Sequence, residues 1–228
     1  MNNIQFKQIL QDEIVANLNK KIRNVLKNSY PLIRSANYCL VEFAVINTLS
    51  MSNKWTVRDI SKSNEHGTAS DVLFKIEDYE LPISIKSKVS ERRDFKLLNS
   101  RTQVEEMLVQ IEKGNIDFLN NNKIFNTPII SVEYVDGNML LCFKECKKLK
   151  NENVEWTVEL PKTASFKDET GKSILTFSRK KGSIVAYDGF FESSVIIQEK
   201  CPDVNMILYK IVDILQSEEN CCHIEENV

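Results

Sequence analysis

Between Ile4 and Lys27, apolar residues return at Phe6, Ile9, Leu10, Ile14, Leu18, Ile22, Val25 and Leu26. Steps of three and four place them on one stripe of a helix, with charged and amide residues on the remaining surface. Such a stripe packs on a core, and it would also serve a helix that pairs with a second copy of the chain. Pro31 suits the first turn of a second helix, and the run from Asn37 to Leu49 continues it. There almost every position is apolar, which predicts a helix buried on most sides. Glu42 interrupts that run, pointing with Cys39, Val45, Ile46 and Leu49. An ionised carboxylate on an apolar face costs on the order of several kcal/mol unless a cation or hydrogen-bond donors meet it. Arg34 or a backbone group would meet that need, as would a metal site or a lysine.

The period changes at Asp71. Val72 to Ile76 and Leu81 to Lys86 read as two strands around a polar turn at Glu77 to Glu80. Alternation sends Ile83 and Ile85 to one face and Ser84 and Lys86 to the other. Upstream, Trp55 to His66 reads as short helix and loop, and Gly67, Thr68 and Ala69 allow close backbone approach before Asp71. Downstream, Ser100-Arg101-Thr102-Gln103 has the form of a capping box. The helix it would start carries Val104, Met107, Leu108 and Ile111 as its stripe, with Glu105 on the flank. Gly114 closes that helix. Thr127 to Tyr134 and Met139 to Phe143 are strands about an Asp136-Gly137 turn. Further strands are expected near Trp156 to Leu160, Ser173 to Ser178, Ser183 to Tyr187 and Ser193 to Gln198, with a turn at Arg179 to Gly182. A last helix after Pro202 would bury Val204, Ile207, Leu208, Ile211 and Leu215, ahead of an acidic tail.

The 228 residues, 42% hydrophobic and 27% charged, suffice for one α/β (α+β) domain spanning residues 1–228. No apolar run has membrane-spanning length and the N-terminus lacks a secretory pattern, so the expectation is a cytoplasmic protein without a membrane partner. A net charge of -2 argues against a non-specific nucleic-acid packager, but not against an enzyme with a basic cleft. Six cysteines without a CxxC pair, beside two histidines, point to unpaired thiols and away from structural zinc.

The acid and lysine at the two ends of the hairpin suit phosphodiester hydrolysis. That reaction needs an in-line water and neutralisation of the charge that builds on the phosphoryl oxygens. Mg2+, with Mn2+ as a substitute, takes hard oxygen ligands from one or two carboxylates and keeps waters and a phosphate in its shell. Asp71 would be its ligand, the Ile85 carbonyl a further one, and Lys86 the group beside the attacking water. Alone, the pattern also fits a surface hairpin with a solvated lysine.

A helix bearing Glu42, then Asp71, then a hairpin ending in Ile85-Lys86, then a helix and the strand at Pro128 to Tyr134, resembles the core of the PD-(D/E)XK nuclease superfamily. The resemblance covers about residues 30–145. It implies a restriction-endonuclease-like core, a central mixed β-sheet flanked by helices, followed by an appended β-rich C-terminal half and helix over about 150–216. Size and that second half are similar to type II restriction endonucleases, which implies a homodimer acting on double-stranded DNA at a specific short sequence. The alternatives are another nuclease of the superfamily, on branched DNA or RNA, and a nucleic-acid-binding or interaction protein with a degenerate site. Ser84 stands where the family's second acid belongs; Glu105 on the following helix and Glu42 compete to replace it among the catalytic and metal-binding residues. For DNA contacts the resemblance directs attention to Lys88, Arg92, Arg93, Arg101 and Gln103, arginine suiting guanine and glutamine adenine. Arg92 and Arg93 would equally form a solvated turn with Glu91 and Asp94.

Overall fold

The computed structural model describes residues 1–34, 37–59, 70–89, 94–150, 154–157 and 163–202. The expected C-terminal helix and acidic tail, the stretch 60–69, and Arg92 and Arg93 lie outside them.

Helix α1 (Asn3–Glu13) opens on a capping box: the Asn2 side chain accepts from Gln5 N, and the Gln5 side chain accepts from Asn2 N, both at 2.9 Å. A π-turn over Ile14–Leu18 and helix α2 (Asn19–Arg34) continue it. The sequence explains the π-turn. Phe6, Leu10, Ile14, Leu18, Ile22 and Leu26 are spaced by fours, and at 3.6 residues per turn each such step overshoots by about 40°. Five such steps would wind the stripe off the core, and a turn holding more residues brings the later ones back. All six are 0–2% exposed, so this stripe is spent inside the chain and not on a second copy.

Pro31 lies inside α2 instead of opening a new helix. It forfeits the backbone hydrogen bond that an N–H at this position would give to the Lys27 carbonyl, in the last turn of the helix. The next helix, α3 (Tyr38–Leu49), is covered on one side only. Val41, Val45, Thr48 and Leu49 are buried, whereas Leu40 and Phe43 are 52% and 58% exposed. The expectation of burial on most sides is corrected: among the described residues α3 packs chiefly against α2 and β3.

The central sheet has the order β1 (Thr56–Asp59), β2 (Val72–Ile76), β3 (Tyr79–Val89), β5 (Ile129–Val135), β6 (Asn138–Cys146) and β11 (Phe191–Lys200). Every pairing is antiparallel except β3 with β5, so the sheet is mixed. Between β3 and β5 run β4 (Asp94–Asn99), α4 (Arg101–Glu112) and two short helices, α5 (Ile116–Asn120) and α6 (Lys123–Asn126). Ile83, Ile85, Ile130, Val132, Leu141 and Phe143 form one face, packed under α1, α2 and α3 in a core that includes Phe6, Phe74 and Trp55. As alternation requires, Ser84, Lys86 and Lys88 fall on the opposite face, in register with Ile129, Ser131 and Glu133.

That second face meets a second, antiparallel sheet, ordered β4, β10 (Ser183–Tyr187), β9 (Ser173–Ser178), β8 (Thr163–Lys167) and β7 (Val154–Thr157). Its inward residues, with those of α4, α5 and α6, make another core around Phe95, Phe125, Phe166, Phe177 and Phe190. The two sheets do not part near residue 150: β4 is lent to the second sheet from within the first half, and β11 returns to the central one. Among the described residues no helix is long and apolar enough to cross a membrane.

The turn expected at Arg179 to Gly182 joins β9 to β10. Gly182 has φ +56°, and a Cβ there would lie 3.1 Å from Arg101 Cα. Gly182→Ala is therefore expected to destabilise the protein by about 1–2 kcal/mol, read by urea denaturation. A change within a few tenths of a kcal/mol would show that the turn can relax.

Candidate active site

Beyond Ile83, strand β3 has no strand partner on one side among the described residues, because β2 begins only at Val72, opposite Ile83. The bared stretch Ser84–Val89 keeps β5 on the other side. Asp71 stands just before β2, its backbone N–H bonded to Ile83 O at 2.9 Å. Its carboxylate turns onto the bared stretch, and Oδ2 accepts from Ser84 Oγ at 2.8 Å, Ile85 N at 2.7 Å and Lys86 Nζ at 3.1 Å. Both ends of this ion pair stay partly exposed, 30% for the Asp71 side chain and 26% for Lys86. Three donors on one oxygen fix the carboxylate and leave Oδ1 without a partner among the described residues.

Glu42 reaches the same place from α3. Ser87 Oγ donates to its Oε1 and is also 3.4 Å from Tyr38 O. Burial pushes the Glu42 carboxyl up to about 7, with the Asp71 charge adding to the rise and Lys86 and Ser87 opposing it. The tension read from the sequence, a carboxylate in an apolar run, is thus only partly relieved. Ser87 and the Tyr38 carbonyl escaped the sequence reading, since nothing marks a serine of a β-strand as the partner of a helix 45 residues earlier.

The folded-state carboxyl titrates above its ordinary range, so the proton is held more tightly in the folded chain than in the unfolded one. Stability contributed by the protonated form is complete below the unfolded value, near 4.5, and is lost as pH rises through about 7. Thermal melts between pH 4.5 and 8 should therefore show the native chain losing stability relative to Glu42→Gln. Parallel curves would mean that the charge is met in the folded state after all.

Glu105 is not brought to this place. It projects from α4 beside the second sheet, accepting from Arg179 Nε at 3.0 Å and Arg101 Nε at 3.3 Å. The Arg179 hydrogen bond, with that of Arg101, holds its carboxyl below the usual range. Arg101, 74% exposed, shares that pair. Gln103 does not complete a capping box: Ser100 caps α4 without a side-chain bond, and Gln103 Oε1 is buried with no hydrogen-bond partner among the described residues.

Lys88 is corrected more sharply. It is not available to DNA, being 4% exposed, with Nζ at 2.5 Å from Asp188 Oδ1 and 3.4 Å from Glu133 Oε2 and 4.5 Å from the Phe95 ring centroid. Lys144, equally buried, binds Glu133 Oε1 at 3.1 Å and lies 3.7 Å from Asp188 Oδ1. Ser131 Oγ donates to Glu133 Oε1 at 2.5 Å. Two ammonium groups and two carboxylates thus balance one another, a quartet with three buried members and the half-exposed Asp188 that the sequence reading missed.

Asp71, Ser84, Ile85, Lys86 and Glu42 are therefore gathered at one spot, and Glu105, Lys88, Arg101 and Gln103 are not. Among the described residues no three histidine, cysteine or acidic side chains converge as a metal cluster. The four described cysteines, Cys39, Cys142, Cys146 and Cys201, are unpaired as expected. No family model matches the chain, nor does any curated protein or any solved structure.

Proposed function

We propose that the chain is a divalent-metal-dependent nuclease of PD-(D/E)XK type, built around Asp71, Lys86 and Glu42. One observation carries the reading: an aspartate, a lysine and a carboxyl short of compensating charge share the bared stretch of β3. The helix, the β2–β3 hairpin, the helical crossover and the parallel strand β5 follow the order implied by the resemblance; β1 stands where the sequence predicted short helix and loop, and β4 precedes the crossover helix.

The residues fit a magnesium ion. Asp71 offers an oxygen without a partner among the described residues, and Glu42 has a carboxyl whose ionisation a nearby cation would favour. They would hold the ion, with the Ile85 carbonyl in reach of the same stretch. A bound ion would supply charge neutralisation at the phosphoryl oxygens and a more acidic water. Lys86 would set its ammonium against the negative charge that grows on the phosphate. Ser84, neutral where the family has an acid, would orient Asp71 by its hydrogen bond, and Glu42 would take up the second carboxylate's part.

The finer reading, a type II restriction endonuclease acting as a homodimer on double-stranded DNA, draws on the resemblance and on the exposed basic turn at Arg179, Lys180 and Lys181. Incubation with a varied plasmid set, with and without Mg2+ or Mn2+, tests it. Discrete metal-dependent fragments support the restriction reading. Nicking or smearing keeps the nuclease and removes the sequence specificity. Failure on duplex DNA, branched DNA and RNA would sink the nuclease and favour a binding protein, to which the neutral Ser84 and the mutually compensated Asp71 and Lys86 already lend support.

A further inference from the structure

Lys88 of the quartet lies on the strand that presents Lys86, two residues further along. Past Ile83, β5 is the one strand that pairs with β3 among the described residues, so what holds the far end of β3 contributes to its position. Lys88 is the last charged residue of that end. Its ammonium meets Glu133 of β5 and Asp188, which comes from the short 3-10 turn Asp188–Phe190 between β10 and β11. Asp188 is 100 residues away in sequence from the lysine it contacts at 2.5 Å. It alone among the four is substantially exposed, at 49% for its side chain. The Phe95 ring of β4, over the Lys88 ammonium, closes the arrangement from the second sheet.

We propose that Asp188 is a positioning residue for the active site: through Lys88 it pins the one-sided end of β3 to the second sheet and so fixes Lys86. This rests on the nuclease reading for its consequence in catalysis, but not for its consequence in structure. Asp188→Asn leaves two buried ammonium groups facing Glu133 alone, which lowers stability whatever else it does. Lys88→Met together with Asp188→Asn restores one ammonium to one carboxylate, Lys144 with Glu133, without restoring the pin. A purely structural ion pair and a positioning pin therefore differ in the double variant.

The experiment follows three readouts in the native chain, Asp188→Asn, Asp188→Glu and the double variant: thermal midpoint, hydrogen exchange of the backbone amides of residues 84–89, and the metal-dependent cleavage rate. Expected are faster exchange over 84–89 in Asp188→Asn with residues 19–34 unaffected, and partial return towards native exchange in Asp188→Glu. The double variant should regain the midpoint but not the protection. Its kcat should stay about tenfold or more below native, with the dependence on Mg2+ concentration unchanged. Native exchange over 84–89 in Asp188→Asn overturns the proposal, as does protection that returns together with the midpoint in the double variant. A native chain that cleaves nothing would refute the nuclease reading, while the exchange readout would still decide whether the pin exists.

Discussion

Asp71→Ala is expected, on the proposed nuclease reading, to lower metal-dependent cleavage by about a thousandfold or more, because it would remove the proposed anchor of the ion together with the counter-ion of Lys86. The same change leaves Ser84 Oγ, Ile85 N and Lys86 Nζ without their shared acceptor, so the fold must be checked by circular dichroism alongside. Lys86→Ala should be comparably inactive for a different reason. It would lose the ammonium proposed to sit beside the phosphate, yet it takes a positive charge away from the place where a cation would sit. Mn2+ affinity, followed by paramagnetic resonance or calorimetry, should therefore fall in Asp71→Ala and hold or rise in Lys86→Ala. Equal loss of Mn2+ binding in both would mean that Lys86 supports the ion structurally. Undiminished cleavage in either variant would remove this spot from the chemistry.

Glu133→Ala should be the most damaging single change to stability, costing about 3–5 kcal/mol in urea denaturation. Glu133 is buried and serves Lys88, Lys144 and the Ser131 hydroxyl at once. Without it two ammonium groups, each about 4% exposed, share only the half-exposed Asp188. Removing one of those charges should recover part of the loss, so Glu133→Gln combined with Lys144→Met is expected to be more stable than Glu133→Gln alone. A loss below about 1 kcal/mol for Glu133→Ala, the size of a surface pair, would mean that water enters the site and screens the lysines.

What could be read in the sequence was local or was marked by a clash. Asp71, Ser84 and Lys86 lie within one hairpin, so period-two alternation and a polar turn place them together before any tertiary information is used. Glu42 was legible because a carboxylate in an apolar run has to be met by something. Glu105 failed for a reason built into helical periodicity. The stripe of Val104, Met107, Leu108 and Ile111 tells which side of α4 is buried, but the chain has two cores, and α4 serves the one under the second sheet. Lys88 failed because a basic cluster looks the same whether it faces solvent or a carboxylate a hundred residues later. The π-turn after α1 was open to reading in the spacing by fours, and a simple count of helical matches passes over it.

The lending of β4 to the second sheet sets an order on synthesis. Its pairing strand is β10, with Asp94 opposite Tyr187 and Asn99 opposite Ser183. While the ribosome makes the intervening chain, at roughly 5–20 residues per second, the β4 backbone waits on the order of several seconds for its partner. Both sheets are closed only when late strands arrive, β10 for one and β11 for the other. Truncated or stalled products therefore present unpaired strand edges to their neighbours, and slow translation or limiting chaperone should reduce the yield of this protein more than its finished stability would suggest.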